Sequence, residues 1–244
     1  MSNLADSVII QANAEQAVNM ARFFKTGTGQ YGEGDRFLGV KVPQVRAAVK
    51  AQWAECSLAD LENCLASEWH EVRLAGLLAL VQRYRHARGD EALREVCIDF
   101  YLAHLAAVNN WDLVDLSCYE LLGDWLLKKD AALLRNLAKN GATIWEQRIG
   151  IVSTMQFVRH GRLDDTYVIA DLLIAHHHDL IHKAVGWLLR EAGSRDEERL
   201  RLWLEPRCST MPRTMLRYAI EKFSPEERAR FLAHKKSNTK QNTL

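Results

Sequence analysis

The sequence predicts an all-α chain, a solenoid of stacked helical hairpins, on three observations. Pro43, Pro206, Pro212 and Pro225 are the only prolines, so the stretch from Gln44 to Glu205 is free of the strongest helix breaker. Apolar residues in that stretch recur at three- and four-residue steps, as one face of a helix requires, and strand-type alternation is nearly absent. Five segments share one local pattern: EVRLAGL, WDLVDLS, EQRIGIV, HKAVGWL and MLRYAIE. Their basic residues Arg73, Arg148, Lys183 and Arg217 are spaced by 75, 35 and 34 residues, with Trp111–Asp115 midway through the first gap. A period of about 35–38 residues holds two helices plus their turns.

Along the chain, the first distinctive segment is KTGTGQYGEGDRFLGVKVP at 25–43, which carries five of the thirteen glycines. It has no Gly-x-x-x-x-Gly-Lys-Ser/Thr pattern and no strand-to-helix setting. It therefore reads as a loop joining two helices, with no nucleotide cofactor, though its backbone amides could meet a phosphate. In HEVRLAGLLALVQRY, Val72, Leu74, Ala75, Leu78 and Val81 can share a helix face. In TIWEQRIGIVSTMQFV, Ile144, Ile151, Met155 and Val158 follow the same rule. Polar breaks at 86–90, 128–130, 139–141, 160–165, 176–179 and 193–196 suit turns between antiparallel helices. Ser224-Pro225-Glu226-Glu227 reads as a helix start, with a Ser cap, Pro in the first position and acids in the first turn. With no linker in sight, residues 1–234 read as one repeat domain and 235–244 as a polar, frayed tail.

Composition narrows the function classes. The chain is 48% hydrophobic and 26% charged, which is ordinary for a globular protein. Lys plus Arg total 32 against 31 acids, a net charge of +1. That argues against wholesale coating of nucleic acid but leaves room for a local basic face. The five cysteines are widely spaced without a CxxC pair, so no disulfide framework or metal site is expected. His176, His177 and His178 are consecutive and cannot face one ion together from a regular helix. The start lacks a signal-peptide pattern and no stretch is apolar enough to span a membrane, so a cytoplasmic protein is expected, and a solenoid of this length is expected to act as a monomer.

Several residues could carry chemistry. Stacked repeats would align Arg73, Arg148, Lys183 and Arg217 as a basic ladder, interrupted at the second repeat by an acidic, tryptophan-bearing segment. Asp115 lies four residues after Trp111, so both project from one helix face. An indole offers cation–π attraction and a neighbouring carboxylate adds electrostatic stabilisation, a pair suited to a cationic substrate or transition state. Trp187 stands beside Gly186, where the chain can approach another backbone or a ligand closely. Arg148 has the planar fork that grips phosphate. Each residue also fits a plain packing role: Trp111 and Trp187 in the core, Asp112 as a first-turn acid, Arg148 as partner of a carboxylate.

Six segments in order, YGEGDRFLGVKVPQVR, SEWHEVRLAGLLALV, NNWDLVDLS, IWEQRIGIV, IHKAVGWLLREAG and PRTMLRYAIEKFS, make the chain resemble the AlkD-like DNA alkylation repair family. The resemblance runs from about Phe23 to Leu232. It implies a right-handed α-solenoid of HEAT-like repeats with a concave basic groove. It implies cofactor-free hydrolysis of the N-glycosidic bond of N3- or N7-alkylated purines in double-stranded DNA. By the same resemblance, Asp115 is the catalytic carboxylate, and Trp111 and Trp187 contact the lesion-bearing nucleotide. Arg148 meets the backbone by that resemblance; the other members of the ladder, Arg73, Lys183 and Arg217, and Arg190 are expected to bind DNA with it. The family's glycosylases carry a tyrosine in an aromatic-x-Lys context near the first helices; here that segment reads Arg22-Phe23-Phe24-Lys25, without a phenol. Two other classes share such a scaffold: a non-catalytic module for branched or distorted DNA, and a protein-interaction scaffold.

Overall fold

The structure, a computed structural model, describes residues 3–233; the tail expected at 235–244 lies outside the described residues. Among the described residues every regular element is helical, with a single isolated bridge between Arg36 and Trp69. The chain divides into two compact units, Met1–Trp125 and Leu126–Leu244.

The first unit holds α1 (Leu4–Ile9), α2 (Ala14–Phe23), α3 (Val42–Gln52), α4 (Leu58–Leu65), α5 (His70–His86), α6 (Glu91–Ala103) and α7 (Trp111–Asp115). Helix α5 is its hub and packs against α1, α3, α4, α6 and α7. The face predicted from Val72, Leu74, Ala75, Leu78 and Val81 is buried, but so are Leu77, Ala79 and Leu80. Neighbours on all sides remove the polar face that a surface helix would keep. Enclosure reaches the polar first turn as well, so buried His70, Glu71 and Arg73 must find partners inside the protein.

The glycine-rich loop joins α2 to α3, as expected, and the first turn of α5 holds it. The Glu71 carboxylate accepts the backbone N–H groups of Leu38 (2.9 Å), Gly39 (2.8 Å) and Val40 (3.1 Å). Those amides serve the protein's own carboxylate and not a phosphate. Gly39 has φ +83°, and a Cβ there would stand 2.1 Å from the Asn13 carbonyl oxygen. Only glycine fits that left-handed, close-packed position.

The second unit holds α8 (Ala132–Asn140), α9 (Ile144–Val152), α10 (Met155–Arg159), α11 (Asp164–Leu173), α12 (Asp179–Gly193), α13 (Glu197–Leu204), α14 (Arg213–Ala219) and α15 (Pro225–Ala233). Helix α12 packs against α9, α10, α11, α13 and α14. Consecutive pairs α8/α9 and α11/α12 pack together as hairpins, as α4/α5 do in the first unit. Gly186 lets α12 approach α14: a Cβ there would meet the Met215 carbonyl oxygen at 2.6 Å. The segment TIWEQRIGIVSTMQFV breaks into α9 and α10. Thr154, at the break, donates its hydroxyl to the Ile151 carbonyl (2.7 Å), a local bond that competes with helix continuation. The Ser224 hydroxyl accepts the Glu227 N–H (3.2 Å), so α15 starts where its capping residues predict.

All five cysteines are buried thiols. Among the described residues no helix is long and apolar enough to cross a membrane.

Candidate active site

The short helix α7 presents the site, and its position follows from the chain entering it. The Asn110 side chain accepts the Trp111 N–H (2.9 Å) and donates its amide to Asp35 (2.9 Å). Asp112 is buried, whereas Trp111 and Asp115 keep part of their surface. After α7 the Ser117 hydroxyl donates to the Leu113 carbonyl (2.6 Å), and a widened π-helical turn follows at Tyr119–Gly123. Such turns often re-aim side chains at functional sites.

Trp111 and Asp115 line one cleft of about 570 Å³ in the first unit, as their four-residue spacing requires. Met20, Phe23 and Phe24 from the end of α2 and the loop, Val42 from α3 and Leu116 make most of its wall apolar. The Trp111 indole stacks on Phe24 with ring centroids 5.3 Å apart, and Phe23 meets it edge-on at 6.0 Å. Phe23 is 64% exposed, a large aromatic surface left open at the rim. The cleft therefore offers aromatic faces and a carboxylate in surroundings that lower the local dielectric. That combination favours a cation or a developing positive charge.

Beneath the cleft lies a buried charge network. The His70 imidazole bridges Asp35 (Nδ1 to Oδ2, 2.8 Å) and Asp112 (Nε2 to Oδ2, 2.9 Å). Arg73 forms an ion pair with Asp35 and also donates to the Ser67 carbonyl (2.9 Å) and to Asn109 (3.2 Å). Burial opposes a charge on His70, but hydrogen bonds and attraction from Asp112 and Asp35 outweigh it and push its pKa up to about 9. Burial would raise Asp35, yet His70, Arg73 and Asn110 together hold its carboxyl below the usual range.

The remaining sequence candidates fall into different environments. Arg73 and Arg148 are only 6% and 5% exposed, so the shared register of the four basic residues does not give shared exposure. The Arg148 guanidinium donates to the Leu180 carbonyl (2.5 Å). Lys183 is half-buried and pairs with Asp179 one turn earlier (2.8 Å), and Arg190 is half-buried between Glu191 and Glu221. Arg217 is exposed. The cause is the enclosure of α5 and α9: a cation on a helix packed on all sides turns to an internal acceptor. Trp187 lines a separate cleft of about 490 Å³ in the second unit, with Met155, Val158, Arg159, Glu191, Ser194 and Arg195.

Sequence reasoning missed Asp35, His70 and Glu71 as functional or structural centres. A histidine and glutamate opening an apolar helix are the available signal, because polar groups inside an enclosed helix need partners. Their identity was out of reach, since Asp35 and Asp112 lie 35 and 42 residues from His70.

Fold and cleft together define a helical-repeat protein with an aromatic, carboxylate-bearing site. The chain belongs to the DNA alkylation repair enzyme family, whose model matches residues 8–223. In fold it is similar to the solved structure of a "Predicted DNA alkylation repair enzyme" from Enterococcus faecalis. That match has 18% sequence identity and a TM-score of 0.68, and covers 88% of this chain and 98% of the other. No curated protein matches the chain.

Proposed function

We propose that this member of the DNA alkylation repair enzyme family is a DNA glycosylase that releases cationic N3- or N7-alkylpurines from double-stranded DNA. The observation that carries the reading is the shared cleft of Trp111 and Asp115, apolar apart from its carboxylates and a few amides. An alkylated purine bears positive charge and is a good leaving group. Breaking its C1′–N bond leaves the pair of bonding electrons on the base and positive character on the sugar. A preorganised carboxylate in a low-dielectric cleft stabilises that charge more than water does. Asp115 is proposed to fill this role and to orient the water that adds to C1′, accepting its proton. Trp111 is proposed to contact the lesion-bearing nucleotide, with Phe23 supplying aromatic surface where the family resemblance expects a phenol. In the second unit, Trp187, Lys183, Arg190 and Arg217 are proposed as DNA contacts; Arg148 is not, because its guanidinium is buried and donates to the Leu180 carbonyl. Arg73 is not retained in that set, because its guanidinium is committed to Asp35, Ser67 and Asn109.

The test is Asp115→Asn with two readouts, base release and DNA binding. The substitution should slow release of N7-methylguanine and N3-methyladenine by about 10²–10³-fold, the usual cost of removing one preorganised electrostatic group. Affinity for the same duplex should change little. Equal release by variant and wild type would remove Asp115 from its role. The absent phenol at Phe23 favours one second reading, a DNA-binding module without hydrolysis. It predicts no base release by the folded wild-type protein and tight binding to branched or distorted duplexes.

A further inference from the structure

Two independent routes connect buried His70 to the cleft. One is a column of rings. Trp111 stacks on Phe24 (5.3 Å, planes 13° apart), Phe24 on Phe37 (4.8 Å, 24°), and Phe37 on the His70 imidazole (4.5 Å, 25°). The other is polar: His70 Nε2 holds Asp112, the residue next to Trp111 in the first turn of α7. The two routes start at one imidazole and end at one indole.

The protonation state of that imidazole follows from its partners. Asp35 accepts from Arg73 and from the Asn110 amide, and Asp112 accepts the Leu113 N–H (2.9 Å). Both carboxylates thus act as acceptors, and each faces one ring nitrogen. A neutral imidazole has one donor and one acceptor nitrogen and would set a lone pair against a carboxylate. An imidazolium donates at both. It also places a cation against the Phe37 face, a favourable pairing. The charged groups around it are Asp35 from the loop, Asp112 from α7 and Arg73 from α5 behind Asp35; neighbouring Glu71 turns to the amides of Leu38, Gly39 and Val40.

We propose that His70 is a positioning residue for the cleft: as an imidazolium clamped by Asp35 and Asp112, it sets the first turn of α7 and the pose of the Trp111 indole. The inference rests on reading the Trp111–Asp115 cleft as the lesion site, but it concerns geometry present before DNA binds. Loss of the His70 proton would leave one of its two carboxylates, Asp35 or Asp112, facing a lone pair, and the ring column without its cation. The Trp111 face would then loosen.

The test uses the full chain without DNA, so failure of the glycosylase reading leaves it decidable. Histidine labelled with ¹⁵N and assigned by His70→Gln should show both His70 ring nitrogens protonated at pH 7.5. The fluorescence contributed by Trp111, taken as wild type minus Trp111→Phe, should titrate together with His70, with a midpoint near the His70 value of about 9. If His70→Gln fails to fold, Phe37→Leu supplies the assignment by shifting the His70 resonances, and the wild-type titration still decides. A neutral His70 at pH 7.5, or a Trp111 signal that stays flat while His70 titrates, would overturn the proposal. As a readout of function, raising pH through that midpoint should weaken duplex binding by wild type more than by Phe37→Leu, whose indole keeps only the Asp112 route to the imidazolium.

Discussion

At the scale of the residue, the molecule is governed by charges placed where water cannot reach them. His70, Asp35, Asp112 and Arg73 are each less than 10% exposed and are tolerable only as a mutually bonded set. This fixes a pH dependence of stability. The His70 pKa rises from an ordinary 6.5 to about 9 on folding, so its contribution is complete below about pH 6.5 and is lost as pH rises through 9. Asp35 is shifted the other way, from an ordinary 3.8 to a lower value, so its contribution is present above that range and is lost in acid. Thermal unfolding should therefore show highest stability between about pH 5 and 6.5, with a fall toward pH 9 that His70→Gln abolishes. A wild-type profile flat from pH 6 to 10 would contradict it. Glu71 gives a second prediction. A glutamine in its place keeps the shape but loses the charge that attracts three backbone amides. Glu71→Gln should cost about 2–4 kcal/mol, measured by denaturant unfolding.

At the scale of the element, what was legible in the sequence was what depends on local chemistry. The breaks at 86–90, 160–165 and 193–196 coincide with helix ends because Gly, Asp and basic residues act within a turn of themselves. Trp111 and Asp115 share a cleft because helical spacing alone puts them on one side. Burial of Arg73 and Arg148 was not legible, because periodicity reports the apolar face of a helix and not whether the opposite face is enclosed. The split of α9 from α10 was missed because Thr154 acts through a side-chain bond that apolar spacing does not register. The glycine-rich loop was recognised as a loop, but its anchor lies more than 30 residues away at Glu71. Gly39→Ala should therefore destabilise by at least about 2 kcal/mol, since a left-handed alanine costs about 1–2 kcal/mol before its Cβ meets Asn13. Gly186→Ala should lower the melting temperature of the second unit by forcing α12 from the backbone of α14. Melting temperatures unchanged from wild type would show that both close approaches relax without cost.

At the scale of the whole molecule, a net charge of +1 means that the proposed affinity for DNA would come from local arrangement and not from bulk charge. Exposed Arg217 and buried Arg73 separate the two kinds of cation. If Arg217 meets a phosphate, Arg217→Ala should reduce the slope of log affinity against log salt by about one. Arg73→Met should lower stability and leave that slope unchanged. The reverse pattern would exchange their roles. The central claim is that the cleft directs breakage of the bond between a cationic purine and its sugar. The most direct measurement is product analysis after a single turnover on a duplex bearing one N7-methylguanine. The account predicts free 7-methylguanine in solution and an abasic site left in the strand. Recovery of the methylated base still attached to its sugar, or of an unmethylated guanine in its place, would contradict it.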